Sequence, residues 1–213
     1  MTLVLFTYDW VPESPRGFVR DIRVRWLLQE LGRPYRVETV PSRDKSPDHL
    51  ESQPFAQVPF IQDGDLNLFE SGAILLHLAE GTALMPDARR PHVQQWLIAA
   101  LNSVEPVIMA WIVAKSFDKD EATAARREPL VRQRLAQLQA ALGDKDWLLG
   151  DSFTVADLLM ADILRIPARN GLLDELHGLA AYVERATDRP AFRKALADHL
   201  AHWRTADERK GAA

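Results

Sequence analysis

The chain has 213 residues and a formal net charge of −4, with acidic and basic residues interspersed along it. This pattern lacks the basic surface that nucleic acids require, so we expect no nucleic-acid partner. Cysteine is absent, which excludes disulfides, zinc–thiolate sites and a protein thiol as nucleophile. The longest apolar run, near LLMADIL, is too short to cross a membrane, and the amino terminus has no signal-peptide pattern. We therefore expect a cytoplasmic protein.

Strand and helix signals alternate over the first eighty residues. TLVLF predicts a first strand, and apolar residues at helical spacing predict a helix from Arg20 to Leu31. PYRVETV alternates like a half-buried strand. Asp63-Gly64 predicts a tight turn between two further strands, and a helix is predicted from Ser71 to about Glu80. The order β-α-β-(α)-β-β-α predicts an α/β domain with a mixed sheet over residues 1–81.

Strand signals stop after residue 81. Residues 82–90 are a predicted linker, and residues 91–213 show only helical patterns, so we predict an all-α helical-bundle domain there. A long helix begins at Pro91, and Pro106 predicts a kink in it. The polar tail TADERKGAA is expected to fray. Further helices are predicted at residues 154–166, about 176–187 and 190–203.

The segment GDSFTVADLL carries a clear helix-start motif. Thr154 and Asp157 have the spacing of a capping box, and Phe153 and Leu158 have the spacing of a hydrophobic staple. We interpret this motif as structural. It predicts the start of a helix that nucleates the helical domain, with no role in catalysis.

The hairpin QVPFIQDGDLNLFESG has chemical features at both ends. Pro59 lacks an N–H and belongs at a strand start or edge, where the backbone of Val58 can pair with an extended peptide. Glu70-Ser71 opens a helix, whose free N–H groups favour a carboxylate. Ser71 adds a hydroxyl donor, and Glu70 can accept from an ammonium group. One interpretation is a site for a peptide with an amino-acid end; the alternative is a simple helix cap and an edge-strand proline.

Three segments resemble the cytosolic glutathione transferases. SQPFAQVPFIQDGDLNLFESGAILLHLAE is similar to the family's glutathione-binding hairpin, WLLGDSFTVADLLMADIL to its buried capping-box helix, and DRPAFRKAL to its last core helix. They occur in the family's order, and the resemblance, which is to a bacterial-type member, covers most of the chain. The resemblance implies a thioredoxin-like domain at residues 1–81 and a helical domain at residues 91–213. It also implies a homodimer.

Residue by residue, the resemblance implies a glutathione site on the hairpin. Val58 pairs with the cysteinyl backbone of glutathione, and the peptide bond before Pro59 is cis. Glu70 and Ser71 hold the γ-glutamyl end. Gln57 is placed to reach the glycyl carboxylate.

Four further polar residues are candidates for binding. Lys45 and His49 can help to hold the glycyl carboxylate, although a solvated loop fits both. His199 and His202 share a helical face, but no third metal ligand accompanies them. We interpret these two histidines as surface residues and expect no metal.

The group that activates the glutathione thiol is not evident. A hydrogen bond or a positive charge near the sulfur stabilises a thiolate. Family members use a Tyr, Ser or Cys near the end of strand one or the start of helix one, but the usual Ser/Cys window here is Phe18–Arg20. Tyr8 and Arg20 are the catalytic candidates, and the backbone N–H of Val19 or Arg20 is a third. Trp10 is predicted to line the electrophile pocket.

Each of these three side chains also has a structural interpretation. Tyr8 can be a half-buried strand end, Arg20 a surface charge on a helix and Trp10 a packing residue. The sequence leaves both sets of roles open.

The sequence favours a glutathione S-transferase. Such an enzyme binds glutathione, stabilises its thiolate and transfers it to a small electrophilic or disulfide substrate held between the two domains. One alternative is a glutathione-dependent disulfide reductase or isomerase, which the missing hydroxyl at Phe18–Arg20 motivates. The other is a non-catalytic binding module, which the intact Glu70-Ser71 pair opposes.

Overall fold

The computed structural model describes residues 2–211, which divide into two units. The first unit contains the amino-terminal residues up to Ala79 together with the last helix. The second unit comprises Glu80–Asp188.

A four-stranded mixed sheet forms the centre of the first unit. Its strand order is β2-β1-β3-β4. Strand β1 is parallel to β2 and antiparallel to β3, and β3 and β4 form the predicted hairpin. The mixed sheet confirms the prediction for this region. The strands are β1 (Leu3–Tyr8), β2 (Tyr35–Val40), β3 (Phe60–Asp63) and β4 (Leu66–Phe69).

Helix α1 is the most deeply buried element of the first unit. It packs against α3 and against the last helix, α9. Its sequence DIRVRWLL has no polar face, and all eight of these residues are buried, including two arginines. Such a helix is stable only when neighbours surround it. The helices of this unit are α1 (Asp21–Glu30), α2 (Pro47–Ser52), α3 (Ser71–Ala79) and α9 (Pro190–Gly211).

The last helix differs from the sequence-based expectation in length and position. It continues to Gly211, so the prediction of a frayed tail is wrong for residues 205–211; Ala212 and Ala213 lie outside the described residues. It also groups with the first unit, whereas the predicted domain 91–213 placed it with the other helices. Trp203 and Ala206 are buried, and α9 packs against α1 of the first unit, so burial of apolar surface stabilises the extended helix in this position.

One long helical segment begins the second unit. It runs from a 3-10 turn at Asp87–Arg89 through α4 (Arg90–Ala99) and α5 (Glu105–Ile112). A five-residue π-helical turn between α4 and α5 ends just before Pro106. The helical ladder is therefore irregular where the proline predicted a kink. The segment ends in a second π-helical turn, and α6 (Glu121–Leu142), α7 (Val155–Arg169) and α8 (His177–Thr187) follow.

The segment Asp87–Phe117 is long and apolar enough to span a membrane by length and composition alone. Core helices of soluble proteins meet the same criterion, and 39% of its most apolar window is buried. Val93, Leu97, Ile108 and Trp111 are fully buried at helical spacing. We therefore interpret the segment as the core helix of the second unit.

The predicted capping box is confirmed at the start of α7. The carboxylate of Asp157 accepts hydrogen bonds from the backbone N–H groups of Thr154 (2.9 Å) and Leu148 (2.8 Å). Phe153 and Leu158, the predicted staple residues, are both buried. Asp157 thus joins the helix start to the preceding loop.

A buried ionic cluster joins α1 to α9. His199 Nε2 donates to Asp21 Oδ1 at 3.1 Å, and Arg25 Nε donates to Asp21 Oδ2 at 2.7 Å. Asp21 and His199 are completely buried, so the interpretation of His199 as a surface residue is wrong. Burial acts to raise the pKa of Asp21, but His199 and Arg25 outweigh it and hold this pKa well below its ordinary value.

We expect Asp21→Asn to lower the free energy of unfolding by about 3–5 kcal/mol at neutral pH, because it breaks a buried ion pair. The lowered pKa means that Asp21 stabilises the fold above its ordinary pKa of 3.8. This contribution is lost as the pH falls through the lower value in the folded state.

Urea unfolding of wild type and variant across the acidic range measures this effect. The wild type should lose stability more steeply than Asp21→Asn below that ordinary value. Asp198→Asn, on the more exposed side of α9, is the control. Equal acid sensitivity of Asp21→Asn and wild type would contradict the prediction.

Candidate functional site

The peptide bond between Val58 and Pro59 is cis, which confirms the expected geometry. Strand β3 begins one residue later, at Phe60, so Val58 lies just outside the sheet ladder. Among the described residues, no hydrogen bond is made to the backbone N–H or C=O of Val58. Both groups are therefore available to an added extended peptide.

Two buried side chains shape the loop before Val58. Gln53 Oε1 accepts from the backbone N–H groups of Phe55 (2.6 Å) and Gln57 (3.1 Å). His49 Nε2 donates to the carbonyl of Gln57 at 3.0 Å. His49 is only 2% exposed, so its interpretation as part of a solvated loop is wrong. The backbone of Gln57 is fixed in this way, while its side chain is exposed.

The turn into α3 places Glu70 in an unusual backbone conformation. Its φ is +68°, in the left-handed region. For a residue other than glycine this conformation costs roughly 1–3 kcal/mol and often marks a functional site. The carbonyl of Glu70 accepts from the N–H of Ile74, which starts the helix, and its side chain is exposed. The next N–H groups lie in the first helical turn, where they have no intrahelical acceptor.

Arg23 contacts the hydroxyl of Ser71 and was not among the site residues predicted from the sequence. The guanidinium Nη1 donates to Ser71 Oγ at 3.3 Å, and only 3% of Arg23 and 4% of Ser71 is exposed. Because the hydroxyl oxygen accepts from Arg23, its own proton points elsewhere and can bond a carboxylate. The charge of Arg23 adds to the attraction of the helix N-terminus for an anion. The alternation of charged and apolar residues in DIRVR was the available signal.

Tyr8 lies beside the loop that precedes Val58. Its phenol donates to the carbonyl of Ala56 at a long 3.4 Å, and Lys45 Nζ lies 4.2 Å from the centre of its ring. Burial raises the pKa of the Tyr8 phenol, and the charge of Arg20 lowers it in part. The phenol therefore remains a hydrogen-bond donor at neutral pH.

Arg20 occupies the N-cap position of α1 and makes no side-chain capping hydrogen bond there. It is partly exposed, and its charge acts on Tyr8. The structure thus brings Tyr8 and Arg20 near each other, and Arg23, three residues after Arg20, contacts Ser71. The end of β1 therefore lies near the start of α1, and a residue in the first turn of α1 contacts the start of α3.

Trp10 lies in a different environment. Its indole N–H donates to Asp207 at 2.9 Å, and Lys210 Nζ lies 3.4 Å from the ring centre. With Thr39, residues 41–44 and the end of α9, Trp10 lines a cavity of about 680 Å³. None of the described residues that line this cavity belongs to the hairpin.

Two family models match the chain. The model of the glutathione S-transferase N-terminal domain matches residues 14–80, and the model of the C-terminal domain matches residues 102–190. Glutathione S-transferase 3 of Zea mays is 31% identical over 83% of this chain and 88% of its own length. Glutathione S-transferase F9 of Arabidopsis thaliana is 27% identical over 82% of this chain and 92% of its own.

Solved structures share the fold. A variant of poplar glutathione transferase F1 has a TM-score of 0.82 and 19% identity, covering 96% of this chain and 99% of its own. A glutathione transferase of Burkholderia graminis, solved with two glutathione molecules per subunit, has a TM-score of 0.79 and 24% identity. Its match covers 92% of this chain and 87% of its own.

The chain belongs to the glutathione S-transferase family. It is accordingly an enzyme, a glutathione transferase, with glutathione as its co-substrate. The predicted family and the predicted domain types are confirmed. No group of three or more His, Asp or Glu side chains able to hold a metal is found among residues 2–211.

We expect Ser71→Ala to weaken glutathione binding about tenfold or more, because it removes a hydroxyl donor at the start of α3, where an anionic group of the ligand is favoured. Isothermal titration with glutathione measures the change in Kd. Ser152→Ala removes an exposed hydroxyl in the second unit and should bind like wild type. Unchanged affinity in Ser71→Ala would show that this hydroxyl does not contact the ligand.

Proposed function

We propose that glutathione binds as an extended strand beside Val58. In this pose its cysteinyl backbone pairs with the N–H and C=O of Val58, and Gln57 reaches the glycyl carboxylate. The γ-glutamyl end lies at Glu70 and Ser71, where Glu70 accepts from the ammonium group. The observation that carries this proposal is the unpaired backbone of Val58 at the cis bond to Pro59.

The charges at the start of α3 suit the γ-glutamyl end. Its carboxylate meets the hydroxyl of Ser71, the first N–H groups of the helix and the positive charge of Arg23 behind them. The exposed carboxylate of Glu70 lies next to these donors in sequence. A zwitterionic amino-acid group matches this adjacent pair of opposite charges.

In this pose the sulfur points toward Tyr8 and Arg20. In this pose the phenol of Tyr8 exchanges its long hydrogen bond to the carbonyl of Ala56 for one to the thiolate, and Arg20 adds positive charge. The thiol proton leaves to solvent. The thiolate then attacks an electrophilic carbon, so a C–S bond forms as the leaving group departs or as the electrons move to an activated double bond.

The electrophile pocket, the oligomeric state, the cellular location and the bacterial type are further parts of this proposal. Trp10 is proposed to line the electrophile pocket, and the chain is proposed to act as a cytoplasmic homodimer. The bacterial type also remains a proposal, since the curated relatives named above are plant proteins while one structural neighbour is bacterial.

We expect Tyr8→Phe to raise the pKa of enzyme-bound glutathione by about one unit or more, because the thiolate loses a hydrogen bond. Arg20→Gln should raise it by a similar amount through loss of charge. Ultraviolet absorbance of the thiolate, titrated against pH, measures each pKa.

The two variants separate the candidate roles. If only one variant shifts the thiol pKa, that residue is the main stabilising group. If neither shifts it, both side-chain assignments fail and the backbone N–H at the start of α1 becomes the candidate. Arg204→Gln, which changes an exposed residue on α9, is the control.

Reductase or isomerase chemistry is the second candidate, because Phe18–Arg20 supplies no hydroxyl or thiol. The chain has no cysteine, so disulfide reduction requires a glutathione thiolate at every exchange step. We expect turnover of a chlorinated nitroaromatic to exceed turnover of a small glutathione-mixed disulfide. Parallel assays of wild type with glutathione measure both rates, and faster disulfide turnover would favour the reductase.

A further inference from the structure

The last helix holds the long loop between β1 and α1. Residues 9–20 contain no strand or helix, so turns within the loop and contacts from outside it together determine its path. Helix α9 contacts the loop or its flanks at three places along its length. His202 bonds Tyr8 before the loop, Asp207 bonds two residues within it, and His199 bonds Asp21 after it.

The peptide group between Tyr8 and Asp9 is fixed on both sides. His202 Nε2 donates to the carbonyl of Tyr8 at 3.0 Å. The N–H of Asp9 donates to the carbonyl of Val40 at 2.9 Å. Because a peptide group is planar, these two opposed hydrogen bonds fix its orientation. That orientation sets the direction in which the loop leaves β1. It also sets the orientation of the Tyr8 backbone, and therefore the direction in which the Tyr8 side chain projects.

The middle of the loop is held by Asp207. Its carboxylate accepts from the indole of Trp10 at 2.9 Å and from both terminal nitrogens of Arg16, at 2.5 and 2.6 Å. Arg16 also donates to the carbonyl of Val11. The hydrogen bonds of Asp207 are exposed to solvent, whereas the hydrogen bond from His202 to Tyr8 is half-buried. The His202 hydrogen bond is therefore the better shielded from water.

His202 is suited to donate this hydrogen bond at neutral pH. Burial lowers its pKa, the carbonyl of Tyr8 and the charge of Asp21 act to raise it, and Arg25 and His199 lower it further. A carbonyl can only accept, so Nε2 carries the proton of the neutral ring. The charged groups that act on Tyr8 itself are Arg20 and Lys45.

We propose that His202 is a positioning residue for thiolate stabilisation: it holds the Tyr8–Asp9 peptide and so orients the Tyr8 phenol toward the sulfur of bound glutathione. His202 acts through Tyr8 and does not touch the substrate. This inference rests on the proposed function, in which Tyr8 faces the sulfur. It extends the site from the hairpin to a helix that lies almost two hundred residues later in the chain.

The test compares His202→Leu, His202→Gln and His202→Asn with wild type. Leucine removes the donor, glutamine can place an amide N–H near the position of Nε2, and asparagine is too short to reach it. We expect the leucine and asparagine variants to raise the pKa of bound glutathione by about one unit. Their kcat/KM at neutral pH should fall about tenfold, with KM for glutathione nearly unchanged. Glutamine should restore both values.

The outcomes distinguish this inference from the proposed function. The pH profiles of all three variants could coincide with that of wild type while their melting temperatures fall. This result would show that the histidine is merely structural, and it would overturn the inference. Equal impairment of the glutamine and asparagine variants would overturn it as well. If His202→Leu does not fold, the comparison of glutamine with asparagine decides the question.

Controls complete the experiment. Asp198→Asn, on the same helix but paired with Lys194 on its exposed side, should match wild type in rate and pH profile. Titration of wild type with glutathione tests the proposed function separately. Absence of binding would overturn that function and this inference together, whereas normal binding with unshifted profiles in the His202 variants would overturn the inference alone.

Discussion

The first unit depends on a carboxylate that has no access to solvent. Asp21 is the first residue of α1, and each of its oxygens accepts a hydrogen bond, one from Arg25 and one from His199. A buried charge is tolerated only when it is paired in this way. The cluster fixes the position and rotation of α1 against α9. Arg20 and Arg23 lie on either side of Asp21 in sequence, so the same cluster determines where they lie.

The proposed glutathione site is preorganised by residues that do not contact the ligand. Gln53 and His49 hold the loop before Val58, and Arg23 holds the hydroxyl of Ser71. Each supporting residue is buried, so its rotamer is restricted by packing. Because the donors and acceptors are already in place, little ordering is required when an extended peptide binds.

In the proposed pose, positive charge and a phenol take the place of the family's usual hydroxyl or thiol near the sulfur. Tyr8 remains protonated, and Lys45 and Arg20 both lie close to it. As proposed, this arrangement stabilises an anion through several moderate interactions rather than one strong donor. It also explains why the path of the loop is important, since the loop connects Tyr8 to Arg20 and its own residues form no regular structure.

The sequence alone determined the features that depend on neighbouring residues. The alternation of strand and helix, the hairpin with its proline, and the capping box at Thr154 each follow from local backbone chemistry, and the structure contains all of them. It did not reveal that Arg23 lies beneath Ser71, that His199 is buried or that the helix continues past Trp203. Only the tertiary structure decided these points, because the partners are distant in the chain; Asp21 and His199 are 178 residues apart. A histidine on an amphipathic helix has the same local pattern whether it faces water or a carboxylate, and only the packing of α9 on α1 determines which it meets.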